Sequence, residues 1–295
     1  MTPGREIHLG GKLWFIAGAN QGRFPRAHAI VVRDRVTALI DAGLGRDLLA
    51  GLAGQVDLVL CTHAHLDHTW GNHLLPGATI TAPRGSAETF GHLDRLRQRF
   101  IPDAAMGRAW RTWITTLVPW QDRSADDFYE PYQEFDLGST RLVAFPAPGH
   151  NADFHCFWFP VERVLYSGDL DLTPFGPWYG NPESDLREFR DSVARAADLG
   201  PRVVVSSHFP PQHQEAAAQL RAWGGHFTQR SDKLLALLAQ PRTLGEIVEA
   251  ALIYGRFPHQ REMLMHFEKV MISEHLAELV ELGRVRDEGG VFRVV

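Results

Sequence analysis

Short apolar runs, cut by glycine, proline and charged residues, dominate the first two-thirds of the chain. Leu13-Trp14-Phe15-Ile16 and Ala29-Ile30-Val31-Val32 read as strands joined by a loop from Gly18 to Pro25. Val36 to Ile40 reads as a third strand, which ends at Asp41-Ala42-Gly43. Arg46 to Ala53 suits a short helix, Val56–Cys61 a buried strand, and a further strand falls near Ala78–Ala82. The pattern resumes with strands at Thr140–Phe145, Phe157–Phe159, Val164–Tyr166 and Val203–Ser206. Helices are expected from Ser184-Asp185 to about Leu199 and from Gln212 to Trp223. Strands alternating with short helices predict an α/β layered domain.

Two stretches depart from this rhythm. From Gly85 to Glu134 the chain is rich in arginine, tryptophan and tyrosine, and about two helices inserted between strands are expected. Aromatics at helical spacing are most often core, but an insertion tethered beside a functional cluster is also placed to cover it. After Arg230 the strand signals stop. Ser231–Gln240 is helical, Thr243-Leu244-Gly245-Glu246 has capping-box spacing, and Met271–Leu282 is amphipathic. Arg284 to Val294 alternates around Gly289-Gly290, as a hairpin does. The division expected is therefore residues 1–230 and a small second module at 231–295.

Composition narrows the function classes. The 295 residues are 44% apolar and 22% charged, with a formal net charge of −5 and no long basic run. That argues against a protein whose main task is gripping nucleic acid. There is no apolar stretch long enough to cross a membrane and no apolar core of a signal peptide at the N-terminus. With Cys61 and Cys156 the only cysteines, no disulfide framework is implied and the cytoplasm is the default compartment.

The chemistry concentrates in Cys61-Thr62-His63-Ala64-His65-Leu66-Asp67-His68, at the end of a predicted strand. Side chains two residues apart in an extended segment point the same way, so His63 and His65 can share one metal ion. Asp67 and His68 follow as the chain turns and can face a second ion. Three histidines and an aspartate within six residues are a poor match for an ordinary surface loop. Other apolar runs also lead into candidate ligands: Pro146-Ala147-Pro148-Gly149-His150, Ser167-Gly168-Asp169, Ser206-Ser207-His208 and Asp41. Ligands in α/β proteins gather at strand carboxyl ends.

In this order, the His-x-His-x-Asp-His cluster, Pro-Gly-His150, Ser-Gly-Asp169 and Ser-His208 resemble the metallo-β-lactamase fold superfamily of metal-dependent hydrolases, over roughly Leu13 to Phe209. The resemblance implies a four-layer αβ/βα sandwich with metals at one edge. It implies that His63, His65 and His150 hold a first ion, that Asp67, His68 and His208 hold a second, and that Asp169 bridges them. Asp41 would orient a ligand from behind. Ala64 lies where the flavodiiron branch has a glutamate ligand, and the full ligand set disfavours single-iron persulfide dioxygenases. Asn151 departs from the glyoxalase II pattern, and Trp70, where a small residue is common, is expected to thicken the near wall of the pocket. The C-terminal module resembles the winged-helix-like domain of lactamase-β-like proteins, some of which are ribonucleases.

The chemistry expected is that of a dinuclear metal-dependent hydrolase. A hydroxide bridging two divalent ions would attack an ester, thioester or lactone, with Asp67 and Asp169 as catalytic residues that hold the nucleophile and accept its proton. Zinc is the first choice of ion, and manganese or iron(II) also suits these ligand types. The alternatives are a phosphodiesterase or ribonuclease, and a non-enzymatic protein in which the metal is structural. The partner expected is a small-molecule substrate, with a membrane excluded, nucleic acid disfavoured and a homodimer left open.

Overall fold

Two β-sheets packed face to face, each covered by helices on its outer side, make up most of the computed structural model, which describes residues 1–2 and 4–295. The first sheet runs in chain order: β1 (Glu6–Gly10), β2 (Leu13–Ile16), β3 (Ala29–Arg33), β4 (Thr37–Ile40), β5 (Leu58–Leu60), β6 (Thr79–Pro83) and β7 (Asp127–Tyr129). It is antiparallel from β1 to β4 and parallel from β4 to β7. The crossovers between the parallel strands carry helices α1 (Arg46–Leu52), α2 (Leu66–Thr69), α3 (Leu93–Phe100) and α4 (Ala104–Leu117). The second sheet comprises β8 (Glu134–Asp136), β9 (Arg141–Pro146), β10 (His155–Phe159), β11 (Val164–Gly168) and β12 (Val203–Ser206), in the spatial order β12-β11-β10-β9-β8. Helices α5 (Leu186–Asp198) and α6 (Ala216–Leu237) cover its outer face.

Side-chain alternation sorts the strands into layers. Ile30 and Val32 of β3 face the second sheet, where they join Phe157, Val164 and Tyr166, while Val31 between them faces the helices of the first sheet. On β12, Val203 and Val205 point inward and Val204 outward to α5 and α6. This is the αβ/βα sandwich that the family resemblance implies, built from the apolar runs that read as strands.

The chain ends in α7 (Leu244–Glu249), α8 (Arg261–Glu281) and a three-stranded sheet of β13 (Arg242–Thr243), β14 (Val285–Asp287) and β15 (Val291–Val294). Thr243 and Glu246 form the expected capping box, and the hairpin turns at Gly289-Gly290. Two helix expectations are corrected. The helices expected at Gln212–Trp223 and Ser231–Gln240 are replaced by one 22-residue helix, α6, which starts at Ala216 and ends at Leu237, so residue 230 lies inside a helix rather than at its end. Gly224-Gly225 invites a break there, but Leu220, Trp223, Phe227 and Leu234 form one buried stripe across it. Likewise α8 begins at Arg261, ten residues before the predicted Met271. The predicted insertion supplies α3 and α4, and also β7, which completes the first sheet. No helix among the described residues is long and apolar enough to cross a membrane.

Candidate metal centre and active site

All of the candidate ligands predicted from the sequence come to one edge of the sandwich, each just beyond a strand. His63 and His65 follow β5, Asp67 and His68 lie in α2, and His150, Asp169 and His208 follow β9, β11 and β12. Ligand atoms of His63, His65, His150 and Asp169 lie within 4.8 Å of one another, as do those of Asp67, His68, Asp169 and His208. Asp169 belongs to both groups and faces each with a different oxygen. Its Oδ2 lies 3.2 Å from His150 Nε2 and 3.9 Å from His63 Nε2. Its Oδ1 lies 3.0 Å from His68 Nε2 and 3.5 Å from His208 Nε2. Asp67 Oδ2 adds a contact of 3.3 Å to His208 Nε2.

The backbone bends sharply to make these approaches. Gly149, before His150, has φ +123°, and a Cβ there would lie 2.1 Å from the Phe189 nitrogen, so only glycine lets α5 pass this close. Asp41 adopts φ +62°, a left-handed conformation that aspartate tolerates better than most residues.

Hydrogen bonds fix which ring nitrogen each histidine presents. Asp41 accepts from the Thr62 amide at 2.8 Å and from Thr62 Oγ1 at 2.9 Å. The only hydroxyl proton of Thr62 is thus committed, so its oxygen accepts Nδ1–H of His63 at 2.9 Å and the lone pair falls on Nε2. Asp41 Oδ2 also takes Nδ1–H of His68 at 2.7 Å. The carbonyls of Trp178 and Gly22 accept Nδ1–H of His150 and His208 at 2.8 and 2.6 Å. His65 instead turns Nδ1 inward, 2.9 Å from His150 Nε2, with the Asn151 amide 3.4 Å behind its Nε2.

Several buried inward-facing atoms make no well-formed hydrogen bond: His63 Nε2, and also His68 Nε2 and Asp169 Oδ1, which face each other at 3.0 Å without hydrogen-bond geometry. Orphaned polar atoms of this kind are costly unless something else binds them. Nitrogen and carboxylate donors in two convergent groups fit divalent ions such as zinc. Burial, and then the neighbouring histidines, hold His63 and His65 well below the usual imidazole range, so their lone pairs are free for an ion. Burial also opposes charge on His68 and His208. There the carboxylates prevail: Asp169, Asp41 and Asp67 lift His68 well above its ordinary value, and Asp67 and Asp169 lift His208 to about 9. An ion at the second group would compete with these protons for the same lone pairs.

Both groups open onto a cavity of about 810 Å³. Its walls include Leu96 and Phe100 of α3, Trp110 and Trp113 of α4, Phe24, Phe175 and Trp178 from loops, and Leu264 and Phe267 of α8. The insertion therefore does line the site, and Trp110 is at once wall and core, only 2% exposed. Trp70 does not thicken the pocket wall as expected. It points into the core beneath α1 and α2, with the Arg26 guanidinium 4.5 Å over its ring. Sequence reasoning also missed Asp171, a cavity residue whose carboxyl burial pushes up to about 6 against the pull of His208. It missed Asn151 behind His65, and the contribution of α8 to the wall.

The family model for the metallo-beta-lactamase superfamily matches residues 23–208. The chain belongs to this superfamily. It is 25% identical over 300 residues to a lactamase-like protein of Aspergillus niger, adaB, covering 93% of this chain and 82% of that one. It is 29% identical over 246 residues to an atrochrysone carboxyl ACP thioesterase of Aspergillus fumigatus, covering 75% and 65%. A metallo-beta-lactamase family protein of Thermus thermophilus superposes with a TM-score of 0.72 at 22% identity, covering 98% of this chain and all of that one. A beta-lactamase domain protein of Burkholderia ambifaria gives the same score at 19% identity, covering all of this chain and 94% of that one. These two likenesses extend the shared fold through the C-terminal helices. As a superfamily member with a clustered set of histidines and aspartates, the protein is a metal-dependent hydrolase.

Proposed function

We propose that this protein hydrolyses an ester, thioester or lactone of an apolar acyl group at a dinuclear metal site. The observation that carries this reading is the union of two donor groups through Asp169 at the floor of a cavity walled by apolar side chains. His63, His65 and His150 would hold one ion, Asp67, His68 and His208 the other, and Asp169 would lie between them. Zinc best suits the donor set. Two such ions, when bound, supply an activated water at neutral pH and a Lewis-acid contact for the substrate's carbonyl oxygen.

The chain's own residues supply the rest. Asp41, Thr62 and the carbonyls of Trp178 and Gly22 fix the histidine tautomers, so no ring must rotate when an ion arrives. Asp169 and Asp67 would be the carboxylates that hold the nucleophile and accept its proton. The aromatic wall keeps bulk water from the site and strengthens every charge interaction within it. The thioesterase among the relatives supports a carboxyl-derived substrate. A nucleic-acid phosphodiester fits less well, because Arg23 is the only lysine or arginine among the lining residues.

Metal analysis with a substrate panel tests the proposal. Purified wild-type protein is expected to bind two ions per chain and to cleave acyl thioesters or lactones in preference to phosphodiesters. His208→Ala should lose one ion, and Asp169→Ala should lower turnover by two orders of magnitude or more, on the order of the loss expected when a group acting in the transition state is removed. A single ion in the wild type, retained in full by His208→Ala, would overturn the dinuclear assignment.

A further inference from the structure

The cavity's aromatic side chains pack ring against ring into one continuous wall, and the slot open to a ligand is the space beside this wall rather than a gap between the rings. The Phe100 ring stacks against Trp178 with centroids 5.6 Å apart and planes at 16°, and against Trp110 at 5.9 Å and 27°. Phe267 of α8 closes the edge of both Phe100 and Trp178, at 6.2 Å and 5.4 Å. The slot begins at the metal centre, since His65 meets Phe100 edge-on at 4.7 Å. Three separate parts of the chain build it: the helical insertion, the loop before α5, and the C-terminal module.

The C-terminal contribution is held in place by buried polar contacts. Tyr254 accepts a hydrogen bond from Trp178 Nε1 at 2.9 Å, and Trp178 is also the residue whose carbonyl holds His150. The fully buried Glu268 carboxylate accepts from the amides of Ile253 and Tyr254 at 2.9 and 3.1 Å, which pins Tyr254 against the cavity. At the mouth, Phe24 and Phe175 remain 44% and 37% exposed, so the apolar lining continues to the rim. A cavity of this size takes a ligand of drug-like dimensions, far larger than an acetyl group.

From this we infer that the acyl group of the substrate is bulky, flat and apolar, and that Phe267 and Tyr254 of the C-terminal module determine specificity by completing the aromatic wall against which it packs. The inference rests on the hydrolase reading above. Flat rings gain both area burial and offset or edge-to-face contacts with a wall of this kind, whereas a short aliphatic acyl group reaches few of these surfaces. The C-terminal module is then part of the enzyme's substrate site.

Two measurements on the full chain test this and separate it from the function itself. The first is kcat/KM for the acetyl and 2-naphthoyl thioesters of N-acetylcysteamine, with metal-loaded protein. The second is calorimetric binding of 2-naphthoate. Wild type should favour the naphthoyl ester at least tenfold. Phe267→Ala and Tyr254→Ala should each lower the naphthoyl-to-acetyl ratio and weaken naphthoate binding by roughly tenfold, with bound metal retained. Phe267→Leu, which keeps the apolar bulk without the ring, should fall between wild type and Phe267→Ala and guards against misfolding of the alanine variant. Val280→Ser, on the exposed side of α8, should leave the ratio as it is. A ratio and a naphthoate affinity that are unchanged in all three slot variants would overturn the inference. No hydrolysis of either thioester, with naphthoate binding still dependent on Phe267, would overturn the thioester among the proposed substrates and leave the slot standing.

Discussion

Asp41 shows how much a single residue can decide. Its buried carboxylate takes the Thr62 amide, the Thr62 hydroxyl and Nδ1–H of His68, and through Thr62 it also sets the tautomer of His63. In Asp41→Asn the new amide would donate where the carboxylate accepted. His68 would then carry its proton on Nε2, the nitrogen that faces the second donor group. Affinity for the second ion should fall by about ten- to a hundredfold, the usual cost of losing such a partner, and the first ion should lose less. A stepwise metal titration against a competing chelator reads both constants, and equal weakening of the two would contradict this account. Asp41 was legible in the sequence as a candidate because it ends an apolar run, and its orienting role was what the family resemblance implied. Asn151 stood out only as a departure from the glyoxalase II pattern, and its place behind His65 was not legible, because an amide behind a histidine has no spacing to announce it.

At the scale of elements, α8 is tied to the sandwich by a chain of directed hydrogen bonds. Arg230 of α6 donates to the Tyr179 hydroxyl at 3.0 Å, Tyr179 donates to His275 Nε2 at 2.7 Å, and His275 Nδ1 reaches Ser231 Oγ at 2.9 Å. This order requires His275 to be neutral. Burial first, and then Arg230, lower it to about 3 from an ordinary value near 6.5, with Arg190 acting the same way and Glu278 against. Because the folded value is depressed, the unfolded chain binds more protons between those limits. The contribution of His275 is therefore fully present above pH 6.5 and shrinks as the pH falls toward 3. Between pH 7 and pH 5 the loss is about 2 kcal/mol. Urea unfolding at the two pH values should show His275→Gln losing less stability on acidification than wild type does, and equal losses would count against the assignment.

For the molecule as a whole, the question is what the C-terminal module faces. Residues 231–295 hold eight lysines and arginines against ten aspartates and glutamates. The acidic side of α8 is already occupied: Glu278 makes a two-pronged contact with Arg190 at 2.7 and 3.0 Å, Glu281 pairs with Arg187, and Glu274 accepts the Leu186 amide at 3.3 Å. A helix in this position has no basic face to offer a DNA groove. Fluorescence anisotropy with the full chain and a random duplex should give no submicromolar, salt-dependent binding, and finding such binding would reverse this reading.

An α/β layered domain and candidate ligands at its strand ends were legible in the sequence for a common reason, and the motif's resemblance to a known family added the sandwich and the seven-ligand set. A strand buried on one or both faces must be written as an apolar run, and a ligand set at strand ends must follow those runs at short, countable distances. His63 through His68, His150, Asp169 and His208 could all be found in this way. Only the tertiary structure decided the shape of the cavity. Phe100, Trp178 and Phe267 are far apart in the chain, and each alone reads as an ordinary core aromatic. Trp70, by contrast, stands inside the motif and yet turns into the core. Whether an aromatic ring packs under a sheet or walls a cavity depends on which elements meet across the sandwich edge. That is fixed by the docking of α8 and the insertion, through contacts such as Trp178 to Tyr254 that leave no periodicity in the sequence.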